Sequence, residues 1–289
     1  MGSLRGSGGR GIRPRSRLRK KTGVRQALGL PPVASGSAAA TAAAAAMGMS
    51  IKARHAEYVV LGKMLDGDML ERLMTFLRRK RPRPAKMKNE GSGNSDDERK
   101  ARYDDRDSMV SWFDCEEECR WLHDRFAALI RDIANAEWPM FRADPSGGLD
   151  CEYEKTQFAV YGPKQHFQAW HQDAFEEGHD PEDARQMTVV TMLTRRDEYT
   201  GGQFQVKLPP PSGKKGCKLM RSLPLDAGDV LIFPAKRLVH RVCPVASGVR
   251  KTLVFWANDP LSCIHGRDSA AAEAAVKPKH RLRNKEPIT

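Results

Sequence analysis

Between residues 156 and 258, short apolar stretches alternate with turn-forming residues, which is the pattern of antiparallel β-structure. Two turns are well marked, at Gly201-Gly202 and at the Asp-Ala-Gly-Asp sequence of residues 226–229. Strands at this spacing, preceded by helices, predict an antiparallel sandwich or barrel that is supported on one side. The predicted strands are 156–161, 187–193, 203–208, 218–225, 230–233, 239–242 and 249–258.

The clearest helical pattern covers residues 117–138, where apolar residues recur every three to four positions. We expect this apolar face to pack on a sheet. Cys115 and Cys119 lie near its start, and we predict a packing role for them because two thiols without histidines are weak metal ligands. Residues 56–79 have looser apolar spacing, broken at Asp66-Gly67-Asp68, which predicts two short helices.

Three stretches lack the apolar periodicity of a core. Residues 1–50 form a basic and Ala-rich leader that we expect to be disordered, and residues 263–289 form a basic tail. Residues 79–106 are charged and rich in Pro, Gly and Ser, which predicts an exposed loop or lid. A single folded domain is therefore predicted over residues 51–262, with helical support over about 51–140 and the β-rich part over about 150–262.

The positive charge of the chain is concentrated at its beginning. The formal net charge is +13, but residues 1–56 contain 11 of the 49 Lys and Arg residues and no acidic residue. The remainder is nearly neutral, so a nucleic-acid-binding folded domain is not favoured, and only the basic tails support such a partner. The leader has three interpretations: an organellar transit peptide, a nuclear or phosphate-binding segment at residues 13–21, or a solvated tail without a specific role.

The six cysteines form no C-x-x-C pair, and a chain of 289 residues does not depend on disulfide bonds for a core. We therefore predict reduced thiols in an intracellular protein. The compartment is a plastid or mitochondrion if the leader is a transit peptide, and otherwise the cytoplasm or nucleus. No run approaches the roughly 20 apolar residues that span a bilayer, so no membrane association is predicted.

Candidate chemistry centres on His171-Gln-Asp173 and on His240. Alternate residues of an extended segment point the same way, so His171 and Asp173 can direct an imidazole and a carboxylate into one cavity. His240 lies in another predicted strand. Two imidazoles and one carboxylate are the ligand set of non-haem iron oxygenases. Alone, the H-x-D sequence is weak evidence, because a carboxylate–histidine pair is also an ordinary structural contact in a core.

A longer pattern surrounds these residues, and with it the chain resembles the iron(II)- and 2-oxoglutarate-dependent dioxygenases, specifically their prolyl-4-hydroxylase-like branch. The resemblance covers about residues 120–258. It implies an α+β fold that is mainly antiparallel β, a double-stranded β-helix or jelly roll with supporting N-terminal helices. The pattern consists of Tyr161, Tyr199-Thr-Gly-Gly-Gln203, residues 225–234, Leu238-Val-His240-Arg-Val242, Arg250 and Trp256.

The resemblance also implies roles for individual residues. Arg250 pairs with the distal carboxylate of 2-oxoglutarate, since a guanidinium matches a carboxylate with two parallel hydrogen bonds. Tyr161 binds the same carboxylate through its hydroxyl, and ascorbate is an expected accessory reductant. Counting by twos from Arg250 places Thr252 and Trp256 on the same strand face, so Thr252 is a further co-substrate contact and Trp256 lines the barrel. The implied iron(II) ligands are His171, Asp173 and His240.

The expected activity is hydroxylation of a peptidyl residue, with proline as a candidate, or of a small amino-acid-like molecule, with succinate and carbon dioxide as co-products. Halogenation is disfavoured because Asp173 fills the position that halide would need. Substrate choice is expected to lie in the acidic loop 174–186, which favours a cationic peptide or amine, and in the basic loop 209–218. The alternatives are a nucleic-acid demethylase of the same chemistry and a catalytically silent jelly roll used for binding.

Overall fold

The computed structural model describes residues 38–85, 105–138, 152–174, 184–210 and 219–258. The helices are α1 (Ala38–Ala46), α2 (Gly67–Leu77), α3 (Cys115–Glu118), α4 (Arg120–Leu129) and α5 (Asn135–Glu137), with a π-helical turn at Ile130–Ala134 between the last two. The strands are β1 (Ser50–His55), β2 (Tyr58–Gly62), β3 (Arg83–Pro84), β4 (Arg106–Asp107), β5 (Met109–Phe113), β6 (Glu152–Tyr153), β7 (Thr156–Tyr161), β8 (His166–His171), β9 (Arg185–Met192), β10 (Tyr199–Gly201), β11 (Phe204–Leu208), β12 (Leu219–Leu223), β13 (Val230–Pro234), β14 (Val239–Val242), β15 (Val245–Gly248) and β16 (Arg250–Asn258).

Two antiparallel sheets carry the site residues. The larger sheet has the order β1-β2-β13-β9-β16-β7-β5-β3, with β6 also paired to β16, and the smaller sheet has the order β12-β11-β14-β8-β4. A separate pair joins β10 to β15. The two sheets face each other, because the ring of Phe233 on β13 lies 5.1 Å from that of His240 on β14. The predicted antiparallel architecture is confirmed.

The predicted helical support packs on the outer face of the larger sheet. Leu122, Phe126 and Leu129 are fully buried, and the ring of Phe126 stacks at 4.7 Å on Phe255 of β16. The predicted helix over 117–138 is confirmed in extent, but it is interrupted at Cys119, whose φ of −147° is not helical. Cys115 and Cys119 are both buried, which confirms the predicted packing role. Burial raises the pKa of the Cys115 thiol to about 12 and also raises the pKa of Cys119.

The prediction of two short helices over residues 56–79 is half wrong. The second helix exists as α2, which begins after Asp66, whose side chain accepts a 2.9 Å hydrogen bond from the Met69 amide. In place of the first helix, β1 and β2 form a hairpin. Strand β2 lies between β1 and β13 and is buried throughout, so it has a continuous apolar sequence without the alternation that marks a half-exposed strand.

The expectation of a disordered leader over residues 1–50 is wrong at its end. Residues 38–46 form α1, and β1 begins at Ser50. Alanine has the highest helix propensity, and Ala40 and Ala44, four positions apart, are buried on one side of the helix. The guanidinium of Arg125 on α4 also lies 3.4 Å from the carbonyl oxygen of Met47, just after α1. Residues 1–37 lie outside the described part of the chain.

Other predicted segments are described only in part. The charged loop 79–106 has described ends, where β3 pairs with β5 and β4 pairs with β8, while residues 86–104 lie outside the described ranges. The tail 263–289 and most of the loops 174–186 and 209–218 also lie outside them. Among the described helices, none is long and apolar enough to cross a membrane.

Candidate metal centre

The two histidines lie side by side on neighbouring strands of the smaller sheet. Strands β8 and β14 pair so that His171 lies opposite His240, and their ring centroids are 4.2 Å apart. Asp173 follows directly after β8, where its backbone amide donates a 3.1 Å hydrogen bond to the carbonyl oxygen of Ala235. One ligand atom from each of His171, Asp173 and His240 lies within 4.8 Å of the other two. The structure therefore brings the three predicted ligands together.

Backbone carbonyls set which nitrogen of each imidazole is free. The Nδ1 atom of His171 lies 3.0 Å from the carbonyl oxygen of Ala169, and Nδ1 of His240 lies 3.0 Å from that of Leu238. A carbonyl oxygen only accepts, so Nδ1 carries the proton in both rings and Nε2 keeps its lone pair. The two Nε2 atoms lie 3.8 Å and 3.6 Å from Oδ1 of Asp173. The Nε2 atoms of both histidines and Oδ1 of Asp173 therefore lie close enough to bind one ion.

The second oxygen of Asp173 is already occupied by hydrogen bonds. Its Oδ2 accepts a 2.7 Å bond from the hydroxyl of Thr188 and a 3.2 Å bond from the indole N–H of Trp256. Burial alone would raise the pKa of the Asp173 carboxyl, but the nearby His240, His171 and Arg185, with the Thr188 hydrogen bond, outweigh it and lower that pKa. Asp173 is therefore an anion with Oδ1 left for a ligand.

Burial, and then the neighbouring His240, lower the pKa of His171 to about 3. A neutral imidazole at ordinary pH is the form that binds a metal. Aromatic rings fix the planes of both imidazoles: Phe167 stacks on His171 at 3.8 Å, and Phe204 stacks on His240 at 5.1 Å. This stacking fixes the directions in which the Nε2 lone pairs of His171 and His240 point.

Arg250 opens β16 opposite Tyr161 and is 1% exposed. Its guanidinium carbon lies 5.3 Å from the centre of the Tyr161 ring, and burial lowers its pKa, against the opposing effects of Tyr161 and Tyr199. Its Nε and Nη2 atoms have no hydrogen-bond partner among the described residues. A buried cation with unpaired donors is costly unless a ligand supplies the partner.

The Tyr199-Thr-Gly-Gly motif makes room for this arginine. Gly202 has a φ of +60°, and a Cβ added there would lie 3.1 Å from Cδ of Arg250 and 3.0 Å from Cγ2 of Val245. A side chain at this position would both strain the backbone and crowd the guanidinium stem. The glycine therefore permits the close passage of β10 over Arg250, while Thr252, two residues further along β16, is also buried.

Several residues that support the centre were not predicted. Thr188 is one, and Arg185 is another: its Nε and Nη2 bind both oxygens of Glu154 at 2.7 Å and 2.6 Å. Its guanidinium also lies 4.2 Å from the Trp256 ring, which confirms the inward position predicted for that tryptophan. The signal available in the sequence was a threonine and an arginine inside the apolar strand of residues 185–192.

Similarity to known proteins agrees with this geometry. Residues 156–258 match the 2OG-Fe(II) oxygenase superfamily, a range that includes every predicted site residue. A PKHD-type hydroxylase of Cupriavidus pinatubonensis is 34% identical over 80 residues, which is 26% of this chain and only 31% of that relative.

Two solved structures share the fold. A prolyl hydroxylase of Trichoplax adhaerens, in complex with a peptide fragment of the hypoxia inducible factor oxygen degradation domain, has a TM-score of 0.52 at 15% identity, over 72% of this chain and 86% of that one. A 2OG-Fe(II) oxygenase family oxidoreductase of Burkholderia pseudomallei has a TM-score of 0.50 at 16% identity, over 79% and 94%. The predicted jelly roll is confirmed. Residues 156–258 therefore match the 2OG-Fe(II) oxygenase superfamily, and the chain shares its fold with a prolyl hydroxylase.

Proposed function

We propose that this protein is an Fe(II)- and 2-oxoglutarate-dependent dioxygenase that hydroxylates a peptidyl residue, with proline as the first candidate, or a small amino-acid-like molecule. One observation carries the proposal. His171, Asp173 and His240 converge within 4.8 Å, and each has a single ligand atom that the surrounding protein does not use.

The donor set fits iron(II). Two imidazole nitrogens and one carboxylate oxygen on one side of the ion are the ligands that non-haem iron oxygenases use, and they leave three positions open. When bound, the iron and 2-oxoglutarate supply the oxidising chemistry, in which dioxygen converts 2-oxoglutarate to succinate and carbon dioxide and provides the oxygen atom of the new hydroxyl. His171, Asp173 and His240 would hold the ion, and the backbone carbonyls of Ala169 and Leu238 would keep both imidazoles in the binding tautomer.

In this proposal Arg250 binds the distal carboxylate of 2-oxoglutarate. The unpaired Nε and Nη2 atoms are a pair of donors on one guanidinium, which is the geometry that a carboxylate accepts with two hydrogen bonds. The burial of Arg250 removes competing water and strengthens this pairing. Tyr161, directly opposite, and Thr252 on the same strand are the further contacts proposed for the co-substrate.

The side of the centre near Trp256 offers a surface for the substrate. Trp112 on β5 stacks on Trp256 at 5.7 Å and is 46% exposed, so an aromatic face leads from solvent towards the indole that binds Asp173. An aromatic ring accepts an apolar side chain or a proline ring well. The similarity to a PKHD-type hydroxylase supports hydroxylation, and the similarity to a prolyl hydroxylase whose structure contains a peptide fragment supports a peptidyl substrate.

Charge gives less guidance on the substrate. The acidic loop that favoured a cationic peptide lies almost wholly outside the described residues, as do the basic segments that supported nucleic-acid demethylation. Ascorbate stays a prediction from the resemblance. Nucleic-acid demethylation and a silent binding role are therefore outcomes of the experiment below.

The experiment uses the full chain under anaerobic conditions. Adding iron(II) and 2-oxoglutarate together should give a charge-transfer absorption that neither gives alone, and admitting air should give succinate, with and without ascorbate. Proline-containing peptides should then gain one oxygen atom by mass spectrometry, while methylated oligonucleotides should not be demethylated. Absence of both the absorption and succinate would support the silent jelly roll and contradict the proposal.

A further inference from the structure

The carboxylate of Asp173 is held by two side chains that the proposed reaction does not otherwise use. We propose that Thr188 and Trp256 are positioning residues that keep Asp173 a ligand through Oδ1 alone, and that Arg185 and Glu154 brace Trp256 in this role. The inference rests on the proposed function, because it concerns how the same centre would present its carboxylate to a metal ion.

The two oxygens of the Asp173 carboxylate have different contacts. Oδ2 accepts hydrogen bonds from the Thr188 hydroxyl at 2.7 Å and from the Trp256 indole N–H at 3.2 Å, from two adjacent strands of the larger sheet. Oδ1 is the atom that faces the Nε2 atoms of both histidines, at 3.8 Å and 3.6 Å. A carboxylate with two donors on one oxygen has lost the freedom to rotate about its Cβ–Cγ bond.

Trp256 is itself fixed on several sides. The Arg185 guanidinium lies 4.2 Å from its ring, and Trp112 stacks on it at 5.7 Å. Arg185 is held by both oxygens of Glu154 and donates through Nη1 to the carbonyl oxygen of Asp173 at 3.3 Å. One guanidinium therefore links the backbone of the ligand residue to the indole that binds its side chain.

Binding through one oxygen of Asp173 would leave more coordination positions of a metal ion open than binding through both. An octahedral ion has six positions, of which the three protein ligands fill half when each contributes one atom. A 2-oxoglutarate bound through two oxygens and one dioxygen then need the remaining three. A carboxylate that bound through both oxygens would take one of these, so holding Oδ2 away protects the position that the co-substrates need.

The test removes one hydrogen-bond donor at a time, with a substitution of the same shape at Thr188 and an aromatic substitution at Trp256. Thr188→Val removes the hydroxyl, Thr188→Ser keeps it, and Trp256→Phe removes the indole N–H. Thr191→Val is a matched control, because Thr191 is also fully buried on β9 and its hydroxyl has no hydrogen-bond partner among the described residues. Each full-length variant is loaded with cobalt(II), which reports its coordination by absorption, and is titrated with 2-oxoglutarate without oxygen.

We expect the dissociation constants of cobalt(II) from the T188V and W256F variants to rise by about 10–100-fold, the usual cost in metal affinity of losing a residue that orients a metal ligand, and the cobalt(II) absorption of both variants to change. T188S should lie near wild type, T191V should equal wild type, and the melting temperatures of the metal-free T188V and T191V variants should agree. The inference is overturned if T188V and W256F bind cobalt(II) and 2-oxoglutarate as T191V does. If the wild-type protein binds neither, the proposed function itself fails.

Discussion

The candidate metal centre is partly to fully buried and the Arg250 pocket, formed by Arg250, Tyr161 and Gly202, holds a fully buried guanidinium, but the polar atoms of the two regions are satisfied in opposite ways. At the centre, the protein binds every polar atom except the three that face one another: Nδ1 of each histidine and Oδ2 of Asp173 all have partners. At Arg250, the protein leaves Nε and Nη2 without partners among the described residues. The candidate centre therefore has its supporting hydrogen bonds in place, whereas Arg250 has two donors left for a ligand.

This difference predicts which region costs stability. A satisfied polar network supports the fold, while a buried cation without a paired anion opposes it. The cost of leaving two buried donors of Arg250 without partners is therefore an argument for an anionic ligand there. The predictions below test the contrast between the two regions.

The largest effect is expected from removing one of the proposed metal ligands. His240→Ala should abolish succinate formation and iron(II) binding, because two ligands no longer define one face of the ion. His166→Ala is a control on β8, since His166 belongs to the strand that carries His171 but not to the cluster of three. Succinate is measured with 2-oxoglutarate in excess. Succinate formation by H240A at the wild-type rate would contradict the assignment of the centre.

A second prediction contrasts ligand binding with stability. Arg250→Met should weaken 2-oxoglutarate binding by about 100-fold, roughly the 2.7 kcal/mol expected for losing a buried charge-assisted pair. The melting temperature of the metal-free variant should stay the same or rise, because an unpaired buried cation is replaced by an apolar side chain of similar length.

The affinity for 2-oxoglutarate and the melting temperature are both measured on the same variant. Titration of 2-oxoglutarate into the metal-loaded variant gives the affinity, and calorimetry of the metal-free variant gives the stability. If R250M lost as many degrees as a truncation in the helical core, such as Phe126→Ala, the guanidinium would be a structural group and the pocket would not be waiting for an anion. Excess 2-oxoglutarate should also raise the melting temperature of the metal-loaded wild type, and not that of R250M.

The sequence predicted the three residues whose ligand atoms the structure brings together, and it gave little signal for the residues that contact them. The resemblance implied His171, Asp173, His240 and Arg250 together, and strand alternation predicted that His171 and Asp173 point the same way. Thr188 and Arg185 act through contacts between strands that are far apart in sequence, and neither has a local signal beyond being polar in an apolar strand.

The predictions for β2 and α1 were wrong for a related reason. Strand β2 is buried on both faces, so its continuous apolar sequence lacks the alternation on which strand prediction depends. Helix α1 consists of alanine and one threonine, and the absence of large apolar residues removed the periodicity that would have predicted a packed helix. In both segments the secondary structure is determined by tertiary contacts, which the local sequence pattern does not show.

The third prediction concerns acid stability, to which the candidate metal centre should contribute and Arg250 should not. The pKa of His171 is lowered from its ordinary value of 6.5 to about 3, so the unfolded chain takes up this proton first as the pH falls. The stability of the metal-free protein should therefore decrease between about pH 6.5 and pH 3, by on the order of 1 kcal/mol or more from this group. His171→Asn should reduce the slope, and R250M should keep it. Equal slopes in wild type and H171N would contradict this account.

The smallest effect is expected from Tyr161, whose neutral hydroxyl is the proposed second contact to the co-substrate. Tyr161→Phe removes one hydroxyl opposite Arg250, and the loss of one hydrogen bond of about 1 kcal/mol predicts a roughly fivefold higher KM for 2-oxoglutarate with kcat unchanged. Tyr58→Phe is the matched control, since the Tyr58 hydroxyl is buried without a hydrogen-bond partner among the described residues. If Y161F and Y58F gave the same KM, Arg250 would bind the carboxylate without help from Tyr161, and the pocket would depend on charge alone.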